Sequence, residues 1–251
     1  MSNFAIPIPD RLPIKISPCP IIEAVLEIRF ITSAGWTLIP GLLFPKIRDK
    51  YGRPEPLPLS NLPDEIRKSE PRFSHKPLSK FVGKEFEIHL GPRVISLRSN
   101  ENYPGWNRVR NEIEWLISQI ESADFVDEGE RLGMRYIDFF EGDLFQNLVI
   151  ETNCAGVPMT GTEMNLTTVF NREDFLSRLT LNNSVFVETK GEARTGSILD
   201  LDVSLSASKF DLFENGLDKF DDAHRLNKEV FFGLLKEEFL QTLNPEFEER
   251  S

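Results

Sequence analysis

From Ile21 to Phe30 the chain reads Ile-Ile-Glu-Ala-Val-Leu-Glu-Ile-Arg-Phe, with an apolar residue at every second position. Ile22, Ala24, Leu26, Ile28 and Phe30 share one face, and Glu23, Glu27 and Arg29 share the other. That period is the mark of a strand with one dry face and one wet face. Leu199, Leu201, Val203 and Leu205 repeat it against Asp200, Asp202 and Ser204. Half-buried strands of this kind belong to an antiparallel sheet whose dry side must be covered. Two stripes at spacings of three and four can cover it. One is Trp106, Val109, Ile113, Leu116 or Ile117, and Ile120; the other runs from Phe220 through Ala223, Leu226 or Asn227, Val230 and Phe231 to Leu234 and Leu235.

The remaining elements fall between these landmarks. Residues 1–20 carry five prolines and predict an extended arm. Residues 36–51 predict a helix with a break or kink at Pro45, and 53–71 a loop. Strands are expected over 72–82, around Phe86-Ile88-Leu90 and from Val94 to Arg98, with Gly91-Pro92 as a hairpin turn. Pro104 suits the opening of a helix to about Glu121. The order then restarts: a strand over 131–140, a short helix over 143–149, a loop from Gly156 to Gly161, and strands at 163–170, 175–181, 184–190 and 197–205. Asn182-Asn183 reads as a turn within them. A long helix from about Asp218, its expected N-cap, to Leu243 closes the chain.

The expected class is therefore α+β. It consists of an arm (1–20), an N-terminal half (21–125) and a C-terminal half (126–251). The halves form one long curved antiparallel sheet with two long helices on one face. This order resembles the duplicated saddle of the TATA-binding protein, a likeness of topology that carries no function. The net charge of −11 argues against nucleic acid as a partner. Cys19 and Cys154 fit no metal spacing and read as reduced thiols. With no signal peptide and no apolar run near ~18 residues, the expectation is a cytoplasmic protein that does not enter membranes.

Phosphate-loop, dinucleotide, nucleophile-elbow and zincin motifs are all missing, so no catalytic residue and no cofactor is assigned. Asp200 and Asp202 stand ~7 Å apart on one strand face. They read as a solvated face or, as the lesser alternative, as half of a metal site in a metal-dependent hydrolase, if Asp138 or Glu188 joins them. Asp221 and His224, at i and i+3, can meet on the last helix. The stretch from Arg93 to Arg110 holds four arginines and a single acid, Glu101. Tyr103, Trp106 and Arg108 lie where it enters a helix; Arg131, Arg135 and Tyr136 lie on the next strand. If these six converge they make a cationic, aromatic site for a small anion or nucleotide. Otherwise the aromatics anchor the helix and the arginines pair with Glu23, Glu27 and Asp138 across strands.

Four segments in order resemble a sporadically distributed bacterial family of uncharacterised proteins. They are Pro20–Phe30, with Glu23 and Arg29; Tyr103-Pro104-Gly105-Trp106; Arg131–Asp138; and His224-x-x-Asn227-x-x-x-Phe231. The resemblance implies a bacterial, intracellular chain of this length and no established activity, cofactor or substrate. Its patchy distribution associates it with defence or mobile elements. The leading expectation is an interaction protein without catalytic chemistry, taking a protein partner or a second copy of itself; a sensor of small anions is the alternative.

Overall fold

The computed structural model describes residues 6–99, 103–159, 163–189, 192–205 and 210–248. Glu101, the one acid of the arginine-rich stretch, and Gly161 lie outside them. The strands are β1 (Ile21–Ile31), β2 (Glu55–Pro56), β3 (Ser79–Val82), β4 (Phe86–Gly91), β5 (Val94–Ser99), β6 (Glu128–Glu141), β7 (Asn153–Cys154), β8 (Val157–Pro158), β9 (Asn165–Arg172), β10 (Phe175–Thr189) and β11 (Glu192–Leu205). The helices are α1 (Ile39–Ile47), α2 (Asp64–Ser69), α3 (Trp106–Ala123), α4 (Leu212–Leu234) and α5 (Glu237–Thr242). Nine strands form one antiparallel sheet in the order β2-β3-β4-β5-β1-β6-β11-β10-β9; β7 and β8 pair separately. The fold is thus α+β around one large sheet. Among the described residues no helix is long and apolar enough to cross a membrane.

The chain divides into two units. The first comprises Glu23–Met134 and Ser204–Ala223; the second comprises Met1–Ile22, Arg135–Val203 and His224–Ser251.

In the first unit, register turns the period-two pattern into continuous dry rows. Phe81 faces Ile88, Ile88 faces Leu97 and Leu97 faces Leu26, so one apolar row crosses four strands. Leu90, Ile95 and Ile28 make the next row. All of these side chains are at most 1% exposed. The α3 stripe is buried as its spacing predicts, at Val109, Ile113, Leu116, Ile117 and Ile120. Each such residue contributes ~1.5–3 kcal/mol. Gly91-Pro92 marks the β4–β5 turn. A side chain at Gly91 would meet the Lys76 carbonyl oxygen at 2.4 Å, so the turn admits only glycine.

Several boundaries depart from expectation. α1 contains Pro45 without breaking, because Pro45 sits in its last turn and only one carbonyl, that of Gly41, loses its partner. Residues 72–78 are not strand; Pro71–Phe73 form a 3₁₀ turn. α3 begins at Trp106, after Gly105 at φ 91°. α4 begins at Leu212, earlier than expected, because Asp211 Oδ1 accepts the N–H groups of Phe213 and Glu214, both at 3.0 Å. Asp211 is therefore the cap, and Asp218 lies inside the helix.

In the second unit, β10 runs unbroken through Asn182-Asn183, where a turn was expected. Asn183 is buried. Its Oδ1 accepts the Met164 N–H at 2.7 Å and its own N–H donates to the Met164 carbonyl at 3.2 Å, so the pair extends the strand ladder. α4 stops at Leu234 because backbone groups of residues 147–149 take its place. Val149 N–H donates to Leu234 O at 2.9 Å, and Lys236 N–H to Asn147 O at 2.8 Å. The dry faces of β6, β10 and β11 supply Phe140, Leu179, Leu181, Leu199, Leu201 and Val203 to this unit's core, and α4 adds Leu226 and Val230.

Candidate functional site

The arginines singled out in the sequence are each met by a carboxylate. In the first unit, Arg108 bonds Glu85 in the β3–β4 turn, and both side chains are largely exposed. That contact raises the guanidinium pKa above its ordinary value. Arg110 Nε donates to both oxygens of Asp221, at 2.9 and 3.0 Å. On the wet face of the strands, Arg131 Nη1 and Arg29 Nε both donate to Glu27 Oε1 at 2.8 Å. Arg98 donates to Glu23 at 2.8 Å, and Arg93 to Glu130 at 2.9 Å. Gly133 leaves room for this: a Cβ there would lie 2.5 Å from the Arg131 guanidinium, which folds back over its own strand and would have to shift. Arg108 and Arg131 therefore serve different carboxylates. This cross-strand pairing was the alternative reading for Glu23 and Glu27. Tyr103 and Trp106 are half-buried at the entrance to α3.

In the second unit, β6 alternates. Arg135 points to the wet face, and Tyr136 and Asp138 point to the dry one. Arg135 grips Asp200 with two bonds, Nε to Oδ1 at 2.7 Å and Nη2 to Oδ2 at 2.5 Å. Such a bidentate pair occupies both oxygens of Asp200. Asp138 does not take up an arginine, contrary to one expectation. It is 2% exposed, and among the described residues no hydrogen-bond donor reaches its carboxyl. Burial, and secondarily the nearby Asp200 charge, push its pKa well above the ordinary carboxylate value, which disfavours the charged form.

Tyr136 Oη lies 3.2 Å from His224 Nδ1. Burial, helped by the Lys228 charge, lowers the His224 pKa to about 3. Of the two residues expected to meet on the last helix, Asp221 bonds Arg110 and His224 meets Tyr136. Asn227 Nδ2 donates to the Leu201 carbonyl at 3.2 Å, tying α4 to β11. The other two histidines are held by carboxylates, His75 by Glu130 at 3.1 Å and His89 by Glu87 at 2.8 Å. Among the described residues, no three His, Cys, Asp or Glu side chains are grouped to hold a metal ion. Asp200 and Asp138 come near each other, but the first is spent on Arg135.

Two arrangements had no signal in the sequence. One is a charged cleft in the first unit between residues 49–51, the β3–β4 turn and the start of α3. The other is a network in the second unit in which Glu229 meets Arg172 at 3.1 Å and Arg225 at 3.0 Å, while Arg225 also reaches Glu173 at 2.7 Å. Both join residues far apart in the chain. The chain matches no protein-family model, and no curated protein shows significant similarity to it.

Proposed function

We propose that this protein works by binding, with no chemistry of its own, and that it recruits an extended segment of a partner protein onto the outer edge of β9, which no strand among the described residues covers. The observation that carries the reading is the contrast between the two ends of the sheet. At one end the four-residue β3 is flanked by β2, whose Pro56 has no N–H to offer. At the other end β9 presents eight residues, Asn165–Arg172, with no proline and no charge before Arg172. Natural edges are usually shortened, charged or covered, and one left open is a template for strand addition. Thr167, Val169 and Asn171 are exposed along it. Phe186 on β10, at 71%, is the most exposed large apolar side chain among the described residues. The net charge of −11 favours a neutral or basic segment as the occupant.

The architecture behind this reading is a repeat. The strand order supports it: β3, β4, β5 and β1 correspond in sequence order to β9, β10, β11 and β6, and the two sets run in mirrored order from the sheet's centre. Each set is followed by a long helix, α3 or α4. In that correspondence β9 is the counterpart of β3 that no described strand flanks on its outer side.

A photo-crosslinking residue at Val169 tests the proposal in cells. It should capture one defined protein, whereas the same residue at exposed Glu114 on α3 should not. Val169→Lys, which puts a charge on the edge, should weaken that capture by about 10-fold, with only a small drop in melting temperature from the like charge of Arg178 opposite it on β10. Equal capture from both positions, or full capture by the lysine variant at a second edge position, would overturn it.

A further inference from the structure

The first unit contains a cleft of about 500 Å³. Its walls are the segment after α1, the β3–β4 turn and the first two turns of α3. The volume lies within the usual range for small-molecule sites, ~300–1,000 Å³. Its interior is fixed by one carboxylate. Tyr51 is buried and its Oη donates to Glu112 Oε1 at 2.9 Å, while Lys50 Nζ donates to Glu112 Oε2 at 2.8 Å. The Lys50 ammonium also lies 3.9 Å from the centre of the Trp115 ring. Gly83 keeps this wall open, since a Cβ there would come within 2.8 Å of the Tyr51 ring.

The lining carries three cations, Lys50, Lys84 and Arg108, and three anions, Asp49, Glu85 and Glu112. Four of these six are already paired, as Lys50 with Glu112 and Arg108 with Glu85. What remains is one charge of each sign. Among the described residues Lys84 and Asp49 make no ion pair or side-chain hydrogen bond, and neither does the amide of Asn111 between them in the lining. A site with one uncommitted ammonium, one uncommitted carboxylate and an amide is complementary to a ligand bearing both signs. The Arg108–Glu85 pair is 62% and 40% exposed in its two side chains, so it contributes little stability and can be exchanged.

We infer that the cleft binds a small zwitterion of the amino-acid class. Asp49 receives the ammonium, Lys84 receives the carboxylate, and Arg108 joins Lys84 by releasing Glu85. This site is independent of the β9 edge and stands or falls without it.

The test is calorimetry on the full chain with the free α-amino acids and glycylglycine as probes. Acetate and methylammonium serve as the two half-ligands at matched ionic strength. At least one zwitterion should bind with Kd below about 1 mM, at least about 10-fold tighter than either half. Asp49→Asn and Lys84→Ala should each weaken it about 10-fold while leaving the melting temperature unchanged, because neither side chain is paired in the free protein. No saturation by about 10 mM, acetate binding as tightly as the zwitterion, or unchanged affinity in both variants would each overturn the inference.

Discussion

Tyr136 and His224 meet edge to face, with their ring planes 87° apart and the phenol oxygen 3.2 Å from Nδ1. An imidazole buried this way is stable only while neutral, and its pKa falls to about 3. In the unfolded chain it would take up a proton near the ordinary pH of 6.5. Between those two values the unfolded state holds the extra proton, so folding stability drops as the pH is lowered from about 6.5 toward about 3. His224→Gln should flatten this part of the profile. Urea unfolding at a series of acidic pH values reads it directly, and an unchanged slope in the variant would contradict the assignment.

Asp138 gives the opposite slope. Its pKa is raised in the folded state, first by burial and then by Asp200, so the folded state keeps a proton that the unfolded state has lost. Its contribution is complete below the unfolded carboxyl pKa of ~3.9 and is lost as the pH rises toward the folded value. Asp138→Asn removes that loss. The variant should be more stable than the parent at pH 8, by about 1–3 kcal/mol, and the difference should shrink toward pH 4. A variant that is less stable at pH 8 would show that the carboxyl is ionised and paired in solution.

These two groups also show how far the sequence could be read. Tyr136, Asp138, His224 and Asn227 stand out as motif positions, and the period-two and 3.6-residue patterns place them on the dry faces of β6 and α4. What no local pattern contains is the identity of the partner. Asp200 takes Arg135 and leaves Asp138 bare, a choice decided by which face each strand residue occupies. Asn182-Asn183 reads as a turn because asparagine side chains imitate backbone groups. Asn183 does that here toward Met164, nineteen residues away, so the same chemistry extends a strand instead of ending it. The α4 start is hidden for a simpler reason: several aspartates can cap, and only Asp211 has its carboxylate on the first free N–H groups. The cleft needs residues 49–51, 83–86 and 108–112 together, and nothing in any one segment announces the others.

The Glu229 network separates buried from exposed ion pairs. The Glu229 side chain is 11% exposed and serves both Arg172 and Arg225. Removing it leaves Arg172, at 18%, with a charge and no carboxylate at that position. Glu229→Ala should therefore cost about 3 kcal/mol. Glu173 is 52% exposed and its bond to Arg225 faces water, so Glu173→Ala should cost under about 1 kcal/mol. Chemical denaturation of the two variants side by side checks the order; equal losses would mean that Glu229 is solvated in solution.

Two helical glycines make a paired experiment with opposite signs. Intrinsic propensity favours alanine over glycine inside a helix by about 1 kcal/mol. At Gly41 in α1 a Cβ would meet nothing within 4 Å, so Gly41→Ala should realise that gain. At Gly233 in α4 a Cβ would lie 2.1 Å from the Pro7 carbonyl oxygen and 2.8 Å from Ile6, the buried residue that anchors the arm. The helix cannot move without disturbing its own core residues Val230 and Leu234, so the arm must yield. Gly233→Ala should thus destabilise the protein despite its better propensity, and limited proteolysis should cut the arm near residues 6–9 faster than in the parent. A Gly233→Ala variant that gains stability and keeps the parent's cleavage rate would show that the arm does not rest on α4.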